Sequence, residues 1–378
     1  MAKKALIVAN LAGFASFLIH DMEILIEKGY TVTFAANAYK LEWADTKEKL
    51  DKLGVEFVQL DFDSTNPMAK TNFRAYRELK VLLKQGDFQL IHCHTPIAGI
   101  FTRLAARSYR RKGAKVIYTT HGFAFTENSS KKSWAVFYTV EKFCSLFCDA
   151  IITINREDYE NAKKMFCKKV FHINGVGVDT SKYANVAVNR NEYRVLIGVP
   201  TDKIMILAVG ELSTRKNHQI IIKALSKLPN KKEYVFVICG NGIDGGTGKM
   251  LHDLANREDV DLKLLGFRMD IPEITAVSDI GVIPSIREGL GLAGVQSLAA
   301  GVPVIGSNVQ GIKDYIVDGK DGYLCDPFDD TSYAEKIQLL SNTQKRDEMK
   351  PFCREMAAKF DNSISFRQMF NIYTELMI

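Results

Sequence analysis

The chain has 378 residues, too many for one ordinary hydrophobic core, and its 47% hydrophobic and 25% charged residues are the composition of a globular protein. No apolar run approaches the roughly 20 residues that a bilayer-spanning helix needs, and the N-terminus does not read as a signal peptide, because the short strand ALIVAN is broken at once by Asn10 and a glycine turn. The net charge of +6 lies in the first half, which through Asp179 holds 26 Lys and Arg against 19 Asp and Glu, while the seven scattered cysteines indicate free thiols in a reducing, cytoplasmic setting.

In chain order, ALIVAN (5–10) is followed by a glycine turn, a helix over 14–28, and strands over 30–36 and 55–60. A helix over 74–84, the strand LIHCH (90–94), a helix over 98–110 and the strand VIYTT (116–120) come next. An apolar helix over 134–148 and the strand AIITIN (150–155) close this half. Short strands separated by helices predict a doubly wound parallel sheet, whose ligands bind beyond the carboxyl ends of the strands.

The polar, glycine-broken stretch NGVGVDTSKY (174–183) then predicts a linker, placing domains at 1–180 and 181–361. The rhythm restarts with strands IMILAVG, YVFVICG and DLKLLG alternating with helices over 218–228 and 249–256. A last helix, 362–378, carries an apolar face and must pack on another element.

Several segments carry chemistry. In REGLGLAGVQSLAAGVPVI (287–305), Glu288 and a turn with Gly289 and Gly291 precede a helix beginning at Leu292, and a helix N-terminus with close backbone access suits a phosphate. VGELSTRKNH (209–218) places Arg215 and Lys216 ahead of a helix, where the macrodipole disfavours cations unless an anion is bound. Histidines end two adjacent strands, His94 in IHCHTP and His121 in THGF, and Asn155 and Arg156 follow a third. Each has a structural alternative: glycine turns are common in parallel sheets, and a histidine at a strand end is often a packing residue.

No metal set is recognisable. DFD (61–63) reads as a solvated turn, and Cys144 and Cys148, on one helix face, lack completing ligands. The basic run RSYRRKGAK (107–115), with Lys131, Lys132, Lys163, Lys164, Lys168 and Lys169, suits an anionic membrane surface or a pyrophosphate-bearing acceptor, although a solvated helix end explains it equally well. Nucleic acid is disfavoured, since no recognition helix or aromatic-basic platform is present.

Taken together, NLAGF (10–14), THGF, GELSTRKN, GFRMD (266–270), REGLGLAGVQ and the terminal helix resemble, in order and spacing, the retaining glycosyltransferases of family 4. The resemblance implies the GT-B fold, two Rossmann-like domains facing a cleft, with the acceptor bound by the first and a nucleotide sugar by the second. The terminal helix would pack back on the first domain. It implies roles for His121 at the donor sugar and phosphate, for Glu288 at the sugar hydroxyls, and for Lys216 at the diphosphate. Gly13 would approach the donor phosphate, Phe267 and Arg268 the base, Gly291 and Leu292 the phosphate, and His94, Asn155 and Arg156 would serve the acceptor side.

Two positions depart from the family pattern. Gln296 stands where the family has a second Glu, which would address the ribose, and Glu211 stands where it has an Arg, leaving Arg215 as the replacement charge. The implied activity is transfer of a hexose to an acceptor hydroxyl with retention and without a metal or other cofactor, in bacterial exopolysaccharide or capsule synthesis. The donor would be a UDP-sugar, with dTDP- and GDP-sugars also open, and the acceptor a saccharide on a lipid pyrophosphate at the inner face of the membrane. A sugar-nucleotide epimerase and a non-catalytic nucleotide-sugar-binding protein are the alternatives.

Overall fold

The computed structural model describes residues 3–39 and 43–377. They form two compact units, residues 1–176 with 363–378, and residues 177–362. The division falls just before the expected break at 180/181 and within the terminal helix rather than ahead of it.

The first unit runs β1 (Lys3–Leu11), α1 (Ile19–Glu27), β2 (Tyr30–Asn37), α2 (Ala44–Lys52), β3 (Glu56–Gln59), α3 (Lys70–Gly86), β4 (Leu90–His94), α4 (Pro96–Arg111), β5 (Lys115–Thr120), α5 (Lys131–Cys144), β6 (Ala150–Thr153), α6 (Arg156–Ala162) and β7 (Lys169–His172). Its strands pair in parallel in the order β3-β2-β1-β4-β5-β6-β7. Ala5 to Ala9 are fully buried, as expected for a central strand covered on both faces.

The second unit contains α7 (Thr180–Ala184), α8 (Arg190–Leu196), β8 (Ile204–Val209), α9 (Gln219–Ser226), β9 (Tyr234–Cys239), α10 (Gly246–Glu258), β10 (Leu262–Gly266), α11 (Ile271–Ala276), β11 (Ile280–Ile283), α12 (Leu292–Ala299), β12 (Val304–Ser307), β13 (Gly322–Cys325), α13 (Asp330–Leu339) and α14 (Thr343–Ala358). Its order is β10-β9-β8-β11-β12-β13, again parallel. The chain ends in α15 (Asn362–Met377). Within the first unit α15 buries Met369, Ile372, Tyr373 and Leu376, and its Gln368 accepts from the Asn174 N–H at 2.9 Å.

Local differences from the sequence reading have local causes. The helix expected over 14–28 is a 3-10 turn, Ala12–Phe17, and then, after Leu18 (φ −113°, ψ 0°), α1. The helix expected over 134–148 is α5 followed by a 3-10 turn, Ser145–Phe147, so extended Cys148 does not share a helix face with Cys144. Several helices start at side-chain caps, with Asn155, Asp179, Asn189, Asp329 and Asn342 each accepting a first-turn N–H.

In each sheet the strand order reverses between two neighbours, β1 and β4 in one and β8 and β11 in the other. Such a reversal opens a crevice at the carboxyl ends of the strands, where ligands of doubly wound sheets bind. NLAGF follows β1 and IHCHTP ends β4 at one reversal, and the cation loop follows β8 and the Glu288 turn follows β11 at the other, while THGF, Asn155 and GFRMD follow strands β5, β6 and β10 beyond them.

Candidate functional sites at the two switch points

In the second unit, β8 runs into Gly210, whose φ of +154° favours glycine, and a Cβ at neighbouring Gly240 would lie 1.8 Å from the Gly210 carbonyl oxygen. This tight crossing leads into a 3-10 turn, Thr214–Lys216, that carries both cations. Beyond β11, Oε2 of Glu288 accepts from Lys216 Nζ at 2.6 Å, from Arg215 Nη1 at 3.2 Å and from Ser285 Oγ at 3.2 Å. Burial raises the Glu288 carboxyl pKa, but Lys216 and Arg215 outweigh it and hold the group below its usual value. Glu288 is therefore an ionised carboxylate shared by two cations.

Gly291 adopts φ +82° at the start of α12, and no side chain caps that helix. The Tyr315 hydroxyl donates to the Gly291 carbonyl at 3.3 Å and would clash with a Cβ at Gly294, 2.2 Å away. Glycine is thus needed at 294 to let Tyr315 hold the turn. Leu292 and Gln296 are partly buried on α12, and the Gln296 amide makes no hydrogen bond to the described residues. The loop GNGIDGG packs on the cation loop through an N–H of Leu212 donating to Asn241 O at 2.8 Å.

Glu211 accepts from Arg215 at 3.1 Å, so the departure from the family arginine is coupled to the neighbouring arginine. Phe267 is exposed, while Arg268 is engaged by Asp270 through two hydrogen bonds of 2.8 and 2.5 Å. The Arg268 guanidinium brings the Asp270 carboxyl down to about 2. Arg268 is therefore a braced side chain at the mouth of the β10 loop.

The first unit gathers histidines instead of charges. His94 Nδ1 meets His121 Nε2 at 3.1 Å, and the His92 ring packs against His94, tilted by 37° with centroids 4.0 Å apart. His92 is held by Tyr373 of α15 at 2.7 Å and by Thr119 at 2.8 Å. Burial lowers His92 and His121 to about 3 and His94 well below its ordinary value, so all three are neutral near pH 7. His94 Nε2 is buried without a partner. An orphaned acceptor is better tolerated than an orphaned N–H, which assigns the proton of His94 to Nδ1 and leaves Nδ1–H of His121 as a donor.

Phe14 packs edge-on against His121 at 4.6 Å. Gly13, expected to approach the donor phosphate, lies in the 3-10 turn that follows β1. Asp21, His92 and His94 bring ligand atoms within 4.8 Å of one another, but both ring nitrogens of His92 are already hydrogen-bonded.

Asn155 is fully buried and caps α6, its Oδ1 accepting from the Asp158 N–H at 2.8 Å while its Nδ2 donates to Asp158 at 3.0 Å. Its amide holds the helix start. Arg156 is exposed at the same start. Asp158 in turn accepts from the Phe123 N–H at 2.9 Å, fixing the turn after His121. Ser285, Tyr315 and Asp158 were not anticipated. A carboxylate just inside a helix start was the one available sign of Asp158, and Tyr315 gave none because its partner is 24 residues away.

Residues 189–356 match the family model for glycosyl transferases group 1, and residues 22–182 that for glycosyltransferase family 4. EpsD of Bacillus subtilis (strain 168), which carries the name of a glycosyltransferase, is 31% identical over 384 residues, covering 100% of this chain and 98% of EpsD. An Escherichia coli protein named UDP-Gal:alpha-D-GlcNAc-diphosphoundecaprenol alpha-1,3-galactosyltransferase is 29% identical, covering 72% of this chain and 71% of that one. Among solved structures, HepE of Anabaena in complex with UDP and glucose superposes with a TM-score of 0.78 at 20% identity, over 98% of this chain and 99% of the other.

Proposed function

The chain belongs to glycosyltransferase family 4 and has the GT-B fold, and on that basis we propose that it moves a hexose from a nucleotide sugar to an acceptor hydroxyl with retention of configuration. The observation that carries this reading is the Glu288, Lys216 and Arg215 cluster beside the uncapped start of α12. A leaving nucleoside diphosphate develops negative charge, and fixed cations with oriented N–H groups stabilise it without reorganising. Glu288 accepts from the sugar hydroxyls, Lys216 and Arg215 take the diphosphate, and Gln296 addresses the ribose. In front-face transfer the departing phosphate receives the acceptor proton, so no enzyme base is required.

The acceptor is assigned to the first unit, and His121 there offers a neutral N–H to the donor sugar or its phosphate. The E. coli relative is named for a lipid-diphosphate acceptor, which supports an acceptor of that class here, in exopolysaccharide or capsule synthesis. No helix among the described residues is long and apolar enough to cross a membrane. Exposed Val136, Phe137, Val140 and Phe143 on α5, beside Lys131, Lys132 and Lys142, support peripheral docking on an anionic, cytoplasmic membrane face.

Incubation with a UDP-hexose and a lipid-diphosphate saccharide tests the reading. A lengthened acceptor is expected. UDP release without transfer would favour an epimerase, and donor binding without turnover a non-catalytic binding protein. Turnover is expected to persist in EDTA, since Lys216, Arg215 and the α12 start supply the positive field; activity restored only by magnesium or manganese would remove that part of the mechanism.

A further inference from the structure

Asp21, on α1, is a buried acid that the proposed transfer leaves without a role. It is 9% exposed and borders a cavity of about 20 Å³ whose wall also holds Thr119, His121 and Ser365. That is space for about one water. The Asp21 carboxyl makes no hydrogen bond or ion pair to the described residues. One of its oxygens lies within 4.8 Å of a ring nitrogen of His92 and of a ring nitrogen of His94.

Three of the four nitrogens on those two rings are engaged. Tyr373 and Thr119 close His92, and His121 takes His94 Nδ1. His94 Nε2 is left open, and it is buried. An unpaired acid and an unpaired ring nitrogen therefore share one cluster, and a turn of the carboxyl toward Nε2 breaks no existing bond. The other titratable groups around the carboxyl are His20 on its own helix, which is paired with Glu23, His121 after β5, and Tyr373 on α15. Among the described residues no Lys or Arg lines the cavity. Burial raises the Asp21 carboxyl to about 7, so it loses its proton in a range where His92, His94 and His121 stay neutral.

We infer that Asp21 is a positioning residue that sets which nitrogen of His121 carries the proton, and with it whether His121 meets a ligand as a donor or as an acceptor. While Asp21 is protonated, its O–H donates to His94 Nε2, His94 Nδ1–H donates to His121 Nε2, and His121 Nδ1–H faces outward as a donor. Once Asp21 is ionised, every bond in the chain reverses. The carboxylate accepts from His94 Nε2–H, His94 Nδ1 accepts from His121 Nε2–H, and His121 Nδ1 presents a lone pair. One proton has left to solvent, and each ring still carries one. The consequence for binding rests on the role proposed for His121 at the donor sugar and phosphate; the chain of tautomers does not.

Imidazole nitrogen-15 shifts distinguish the two neutral tautomers and are recorded on the full-length protein, labelled at histidine, without a ligand. His94 and His121 are expected to carry their protons on Nδ1 at about pH 6 and on Nε2 at about pH 8.5. Asp21→Asn cannot ionise, so each ring should keep one tautomer throughout. UDP-glucose, whose diphosphate does not titrate in this interval, should bind the unmutated protein roughly tenfold more weakly at the higher pH and bind Asp21→Asn equally at both. Tautomers of the unmutated protein that stay fixed with pH, or that change equally in Asp21→Asn, would overturn the proposal; the first of these needs no variant. A tautomer switch with level UDP-glucose binding would uphold the Asp21 role and remove His121 from the donor site, so the two failures are told apart.

Discussion

The two switch points solve one electrostatic problem in opposite ways. In the second unit, Glu288 is ionised because Lys216 and Arg215 outweigh its burial, and the site is a set of fixed charges. In the first unit, burial has stripped charge from His92, His94 and His121, and the site is a set of neutral hydrogen-bonding rings. A charged site suits a ligand whose charge changes during reaction, whereas neutral donors suit recognition of hydroxyl groups without competing with a diphosphate for counter-ions.

The largest effect should come from breaking the charged site. Lys216→Ala is expected to lower transfer by on the order of a hundredfold, about 3 kcal/mol, as for removal of one oriented donor at a developing anion. Arg215→Ala should lower it less, because Arg215 also spends hydrogen bonds on Glu211 and the Arg287 carbonyl. Glu288→Gln should separate binding from turnover: transfer falls, while UDP binds at least as tightly because the cations lose their internal anion. Turnover near the original rate in Lys216→Ala, Arg215→Ala and their double mutant would remove the diphosphate role.

Acid distinguishes the units next. A histidine whose folded pKa is depressed binds its proton only in the unfolded chain, so stability is lost as pH falls below the unfolded value near 6.5. His92, His94, His121 and His172, all lowered by burial, act together in the first unit. Asp21 opposes them, since burial raises its carboxyl to about 7, and a raised folded pKa contributes stability that is lost as pH rises through it. In the second unit, His218 is lowered to about 3 by burial and by Lys216, while the Glu288 contribution is present above its unfolded value near 4.5 and is lost below it. Between pH 6.5 and 5 the first unit should therefore lose stability more steeply than the second, and more steeply still in Asp21→Asn. Hydrogen exchange resolved by segment checks this, and equal loss in both units at pH 5 would refute the contrast.

How much of this could be read from the chain follows the same division. The paired sheets, the cation loop and the Glu288 turn were legible because each is a contiguous segment with its own periodicity or glycine signature. The histidine site was legible only in part. His94 and His121 end adjacent strands, but Tyr373 reaches His92 across 281 residues and Asp158 grips the turn after His121 from α6. Such contacts depend on how α6 and α15 pack, which no local pattern encodes. The capping role of Asn155 was hidden for the same reason, since the helix it starts is not marked by a local pattern.

The smallest effect concerns Gln296, the departure that composition and fold leave untouched. A carboxylate can accept charge-assisted hydrogen bonds from both ribose hydroxyls, whereas a neutral amide offers one acceptor oxygen and two donors. In the structure the Gln296 amide is partly exposed on α12 and makes no hydrogen bond to the described residues. Gln296→Glu should accordingly tighten donor binding by roughly tenfold, about 1.4 kcal/mol, and leave transfer intact. The charged site sharpens this expectation, because Lys216 and Arg215 are already matched to Glu288 and a second carboxylate must be stabilised by the ribose alone. Should Gln296→Glu abolish binding while Gln296→Ala is harmless, the ribose lies elsewhere. Calorimetry with UDP and dTDP then separates two explanations of the substitution. Equal affinity or a preference for dTDP fits a donor lacking one of the hydroxyls, and a clear preference for UDP leaves Gln296 as a weaker ribose contact in an otherwise ordinary donor site.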